Sequence, residues 1–445
     1  MSVASVGRRC AARWPLVVVV LGYLGAAAAE VSADDAVNGR EVFTRVWRPR
    51  PLGTSGDGLG PMHNDVSCVA CHFQGGVGGG GPAEKNAMLL SLSDDARPAK
   101  GRVTPAVLHP GFAAARTVVL HRFGTTTDYE PWRQALLNID VPDRLSPERA
   151  EERRAAIARR QAAHGPVGRV RHGVHQLLVS QRNTPALFGV GLIDRIPKEE
   201  IQRLAAEQAQ SGGVSGRAAP AAAEGVGRFG WRGQIETLEQ FVLAACANEL
   251  GLQTPHHEQP DDPIDPWPNA GEDMSAEERE ALISFVAELP TPRQIAPADT
   301  DEAVAVYAGR ESFDAVGCAD CHVADVGPAF GIYSDLLLHD MGPRLSDPSP
   351  AAPSSMLVPT GQVSYLGPTS VLVSVESNLK QEWRTPPLWG VRDSAPYLHD
   401  GRAGNLAEAI VLHGGEAAAS AKRYARLSAE EQLQLLAFLN TLAAP

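Results

Sequence analysis

Aromatic residues make up only 6% of this 445-residue chain, and cysteine and methionine occur six times each. Beyond the N-terminus no apolar run is long enough to cross a bilayer as a helix. Basic residues are outnumbered by acidic ones, 40 against 52, for a formal charge of −12. That balance excludes an ordinary nucleic-acid or anionic-lipid binder; it suits solubility or a basic electron-donor protein. No Lys-Ser/Thr follows the glycine-rich run Gly75 to Gly81, so this is not a phosphate loop. It reads as backbone brought close to a planar group.

Glycine (43) and proline (34) are plentiful, and 44% of residues are hydrophobic, enough for two or three cores joined by long irregular connections. Residues 1–29 read as a signal peptide. Arg8, Arg9 and Arg13 form a basic start, Trp14 to Leu24 an apolar stretch, and Ala27-Ala28-Ala29 a small-residue cleavage site. Their loss would remove three arginines and no acid. The expectation is export to the periplasm without a membrane span after cleavage; retention of the segment as an anchor is the alternative.

Cys10 leaves with that segment. Four of the other five cysteines lie in Cys68-Val69-Ala70-Cys71-His72 and Cys318-Ala319-Asp320-Cys321-His322, and Cys246 stands alone. In C-x-x-C-H both thiols share one helical turn and can add to the vinyl groups of a single porphyrin, while the His becomes the proximal iron ligand. Zinc would need a second ligand pair near each motif, and a thioredoxin-like dithiol a βαβ context; the flanks supply neither. Two covalently bound haem c groups are expected.

The surroundings of the pentads repeat. Gly39-Arg40-Glu41-Val42-Phe43 precedes the first and Gly309-Arg310-Glu311-Ser312-Phe313 the second. Thr184 to Val190 echoes Thr385 to Val391, and Phe229 to Gln240 (FGWRGQIETLEQ) echoes Tyr397 to Glu408 (YLHDGRAGNLAE). Each half closes on an amphipathic helix opened by a capping box, Ser275/Glu278 and Ser428/Glu431. The predicted fold is mainly α: two cytochrome c-like domains, residues 36–292 and 297–445, arising from an internal duplication, with long loops and few strands. The longer first half carries a helical stretch at 147–163 and a Gly/Ala-rich segment at 211–227 that reads as a flexible insert.

These repeats resemble the di-haem c-type oxidoreductases related to bacterial di-haem cytochrome c peroxidases. Arg182-Asn183-Thr184-Pro185, Phe229-Gly230-Trp231, Arg384-Thr385-Pro386, Ala395 to Gly401 and Leu406 to Glu416 carry the likeness over most of residues 36–445. The resemblance implies an enzyme that takes electrons from a small redox protein, a cytochrome or cupredoxin, and reduces hydrogen peroxide. It implies His413 as distal ligand opposite His322, with Met341 and His339 as competitors. Superposing Gly233 on Gly401 puts Ala245 in His413's place, with Cys246 beside it, so the first haem has no matching ligand. Glu249 nearby is the implied acid–base catalyst and Trp231 the aromatic between the haems. A calcium ion would use the Asn183 side chain with the Ser394 and Pro396 carbonyls. His63, His109 and His121 are open alternatives as caps on the first iron. A di-haem electron carrier, a protein-modifying di-haem oxidase and a haem redox sensor are the rival readings.

Overall fold

The computed structural model describes residues 37–51, 56–93, 104–137, 168–173, 175–221, 225–265, 271–347, 363–364, 367–368 and 380–445. The expected targeting segment and the stretch 147–163 lie outside them. Helices dominate: α1 (Gly39–Thr44), α2 (Tyr129–Leu136), α3 (Val190–Asp194), α4 (Lys198–Ser211), α5 (Leu238–Leu250), α6 (Ala276–Ala287), α7 (Thr300–Ala315), α8 (Leu406–Leu412), α9 (Ala418–Tyr424) and α10 (Ala429–Asn440). Among the described residues no helix is long and apolar enough to cross a membrane.

Each pentad sits beside one helix pair. α1 packs on α6 next to the first, and α7 packs on α10 next to the second. Both pairs need a glycine where they touch. A Cβ on Gly39 would stand 2.0 Å from the Ala281 carbonyl oxygen, and one on Gly309 would stand 1.9 Å from that of Gln434. The closing helices α6 and α10 each open on a complete capping box, Ser275/Glu278 and Ser428/Glu431. Phe43 meets the His72 ring at 6.4 Å between centroids, and Phe313 meets His322 at 6.5 Å. Gly189 and Gly390 open their helical turns at φ 70° and 72°, a left-handed conformation that glycine adopts without a Cβ clash. Bridges Phe229↔Ile235 and Tyr397↔Ala403 close matching turns, each followed by an N-capped helix, α5 from Thr237 and α8 from Asn405.

Apolar burial follows that division only in part, because Val326, Ile332, Leu336 and Trp389 of the second half join the first core. One core gathers Phe43, Leu238, Leu282 and Val286; another gathers Phe313, Tyr424, Leu435 and Phe438. The first half adds an antiparallel sheet of β1 (Ala87–Leu92), β2 (Thr117–Val119), β3 (Gly168–His172) and β4 (His175–Arg182), in the order β2-β1-β4-β3. This sheet buries a third cluster, with Leu90, Phe112 and Leu177. A short ladder, β5 (Leu338–Asp340) with β6 (Glu382–Arg384), serves the second half.

The Gly/Ala-rich segment corrects the sequence expectation of a flexible insert. Arg217 bridges to Leu338 through the backbone and pairs its guanidinium with Glu382, while Ser215 donates to Glu416 from both its amide and its hydroxyl. Composition predicted flexibility, but two polar anchors tie the segment to the second half.

Candidate haem sites

Both pentads form short 3-10 turns, Cys68–Ala70 and Cys318–Asp320. In each the histidine amide donates to the first cysteine's carbonyl, His72 to Cys68 at 3.0 Å and His322 to Cys318 at 2.9 Å. That closes one turn and puts both thiols and the imidazole on one side. His72 Nδ1 lies 3.2 Å from the Gly79 carbonyl and 3.1 Å from that of Pro185. His322 Nδ1 lies 2.8 Å from the Tyr333 carbonyl. Carbonyls only accept, so Nδ1 carries the proton in both rings and Nε2 keeps its lone pair for a metal. Burial pulls both imidazoles down to about 4, which keeps them neutral, the form that ligates. The glycine-rich loop supplies one of these carbonyls. Gly78 runs at φ 92°, and a Cβ on Gly79 would lie 1.7 Å from the Gln74 carbonyl oxygen, so the tight wrap around His72 requires glycine.

The first pentad opens on a cleft of about 850 Å³. One wall holds Cys68, Cys71 and His72 with Asn183, Thr184 and Pro185; the other is a single face of α5: Phe241, Val242, Ala245, Cys246, Glu249 and Leu250. Positions 241, 245 and 249 recur at one helical turn, as do 242, 246 and 250, which explains why all six point one way. The walls are apolar apart from a few groups, as a porphyrin requires. Asn64 Nδ2 donates to Glu249 Oε2 at 2.6 Å, and the Asn64 amide donates to the Glu249 carbonyl at 2.7 Å. Glu249 Oε1 is buried with no hydrogen-bond partner. Desolvation raises the Glu249 pKa, opposed by the Asn64 bond and the Arg122 charge.

The second site differs at the same point of the repeat. α8 ends where α5 continues, and His413 caps it. His413 Nδ1 is 2.7 Å from the Ala409 carbonyl, so Nε2 is the free nitrogen. Burial lowers its pKa, and its charge would in turn lower that of His322, so the two rings are neighbours. His339, the competing candidate, has both nitrogens committed, Nε2 to Asp335 at 2.9 Å and Nδ1 to Glu416 at 2.9 Å. Its Nδ1 is also 3.7 Å from Cys321 Sγ. Cys321, Asp335 and His339 together have metal-binding spacing, but the histidine has no lone pair left to give. Haem fits both sites by donor chemistry: two thiols and one neutral imidazole at each, with a second imidazole at the second.

His63, His109 and His121 are buried, yet none lines the first cleft; His121 Nε2 instead donates to the Asn248 carbonyl at 2.8 Å. Trp231 bridges the modules: its indole donates to the Asn183 carbonyl at 2.9 Å, and its own carbonyl accepts the Arg384 amide at 3.0 Å. Asn183 Nδ2 donates to the Pro396 carbonyl at 2.5 Å, while Asn183 Oδ1 is buried without a partner. An orphaned amide oxygen beside a carbonyl is compatible with a hard cation. Ser394 lies on the adjoining turn, its hydroxyl bonded to the Val391 carbonyl. Sequence reasoning missed Asn64, which holds Glu249, because the two lie far apart in the chain and no short-range pattern links them.

Two solved structures are similar in part. A Kuenenia stuttgartiensis hydrazine synthase is 19% identical, with a TM-score of 0.33, covering 59% of this chain and 73% of that one. A MauG-like protein associated with microbial copper homeostasis is 19% identical, with a TM-score of 0.24, covering 38% of this chain and 53% of its own. Neither likeness is close enough to carry an argument about function. No curated protein matches the chain. Residues 376–442 match the family model described as "Di-haem oxidoreductase, putative peroxidase"; they include the Arg384-Thr385-Pro386 motif, His413 and α10. Over this segment the chain is similar to the di-haem oxidoreductase family.

Proposed function

We propose that this chain is an exported, periplasmic di-haem c-type oxidoreductase, built from two duplicated haem modules, that reduces hydrogen peroxide with electrons from a small redox protein. The observation that carries the reading is an asymmetry. His413 stands next to His322, whereas the matching position in the first module is Ala245, with Glu249 one turn further along the same cleft-lining face. A filled site suits electron relay and an open one suits substrate.

Haem at His72 would bind the oxidant and supply electrons to it. The chain's own part is proton handling and positioning. Glu249, whose pKa burial raises, can take a proton from one peroxide oxygen and return it to the other as their bond breaks. Asn64 fixes one carboxyl oxygen, leaving the other for substrate. The Gly79 and Pro185 carbonyls hold the His72 ring in its ligating tautomer. Trp231 spans the contact between the modules, and Asn183, Ser394 and Pro396 would hold a calcium ion there. The acidic chain suits a basic donor, a small cytochrome or cupredoxin.

The test is steady-state oxidation of a reduced small cytochrome by the holoprotein on addition of peroxide. Sustained turnover dependent on both reactants supports the reading; electron uptake without turnover leaves a carrier and rejects the enzyme.

A further inference from the structure

We infer that Arg384 binds a haem propionate in the second module, so that a carboxylate of the cofactor, and no acid of the protein, balances this cation. The inference rests on the reading that haem is attached at Cys318 and Cys321.

The guanidiniums of Arg182 and Arg232 act on each other, and both are served by one acid. Asp347, fully buried, pairs with Arg182 and lies 3.9 Å from Arg232. Arg182 and Arg232 also lie over the Trp383 ring, at 5.0 and 4.2 Å. Arg384 shares none of this. Its Nε donates to the Gly230 carbonyl at 3.0 Å and its Nη1 to the Thr385 carbonyl at 3.4 Å; no ion pair joins it to a described residue. Carbonyls satisfy N–H groups but leave the charge uncompensated, which is costly away from water.

The one acid that acts on Arg384 electrostatically, Asp335, is already engaged. Its Oδ2 serves His339 and Gln208, and its Oδ1 accepts the Leu337 amide. Burial pulls the Arg384 pKa down to about 10, which still leaves it a cation at neutral pH.

Position supplies the missing anion. In the repeat Arg384 stands where Asn183 stands, and Asn183 lines the first haem cleft. The next residue, Thr385, takes the Ser334 hydroxyl on its carbonyl at 2.7 Å, and Ser334 follows Tyr333, whose carbonyl holds His322. Arg384 stays partly accessible, as His72 and His322 do. A planar guanidinium with free N–H groups matches a carboxylate in two-point geometry. Haem brings two carboxylates, whose charge near the iron favours the ferric state; neutralising one raises the reduction potential. The same residue donates its amide to the Trp231 carbonyl, linking this contact to the bridge between modules.

The test uses the holoprotein with Arg384→Gln and Arg384→Lys, haem content being counted first by pyridine haemochrome. Spectroelectrochemical titration then follows the low-spin haem. Arg384→Gln should shift its midpoint potential downward and leave the other haem unmoved, while Arg384→Lys should stay close to the parent. A two-haem Arg384→Gln protein with the parent's potential overturns the inference, as does an Arg384→Lys shift as large as that of Gln. Should Arg384→Gln fail to assemble, the Lys variant decides alone on the same criterion. A parent protein carrying one haem would instead refute the two-haem reading itself.

Discussion

Asn64 donates its side-chain amide to Glu249 Oε2 at 2.6 Å, and the other carboxyl oxygen is left buried at the first cleft with no partner. A carboxyl held at one end and open at the other is arranged to exchange a proton with something that enters. Replacing Glu249 by Gln keeps the shape and the Asn64 contact but removes the titratable proton. Peroxide turnover should fall by about a hundredfold or more, with the haem spectra unchanged. Stopped-flow and steady-state assays measure this, and undiminished turnover removes Glu249 from the mechanism.

His413 makes a separate claim, about the second haem alone. Its Nδ1 is bound to the Ala409 carbonyl, so the ring is oriented before any metal arrives. His413→Ala should turn the second haem from low to high spin in the optical spectrum and leave the first as it was. An unaltered spectrum would assign the distal position to another residue.

The close helix contacts predict a stability effect in each module. A methyl group on Gly39 or Gly309 meets a backbone carbonyl oxygen at 2.0 or 1.9 Å, which no side-chain rotation relieves. Gly39→Ala and Gly309→Ala should each destabilise the fold by about 3 kcal/mol, the upper range for overpacking. Denaturant unfolding of the holoprotein reads the loss, and a change within error would show that the helices shift apart freely.

The buried cluster Asp335–His339–Glu416 carries a pH signature. Desolvation opposes the charged His339, but its bonds to Asp335, Cys321 and Glu416 prevail and raise its pKa above 6.5. Burial works against the Glu416 charge too, yet His339 and Ser215 lower its pKa below 4.5. The imidazolium's contribution to stability is complete below pH 6.5 and fades as pH rises through the folded pKa. The carboxylate's contribution is complete above 4.5 and fades as pH falls. Thermal stability due to this cluster should therefore peak between pH 4.5 and 6.5, and His339→Gln should flatten the profile. A variant with the parent's pH dependence would show that the cluster is not linked to folding.

What was legible in the sequence was local. The pentads, the capping boxes at Ser275 and Ser428 and the repeated glycine turns each depend on residues a few positions apart, and the structure forms them in place. The sheet β1–β4 was not legible. β1 pairs with β4 and β2 across long separations, and its burial is nearly continuous along AMLLSL, without the alternation that marks a half-exposed strand. α5 is buried on several sides, so its apolar residues show little helical period although it carries Ala245, Cys246 and Glu249. In the described residues 211–221, composition gave no sign of the anchors at Ser215 and Arg217. Arg384 gave no signal beyond its motif, because a missing counter-charge is visible only in three dimensions.

The central claim is that the two haem sites are unequal, one open and one filled. The most direct measurement is the EPR spectrum of the fully oxidised holoprotein, followed into the half-reduced state. The haem at His72 should give a high-spin ferric signal and the haem at His322 and His413 a low-spin one. Low-spin signals alone, in both oxidation states, would contradict it.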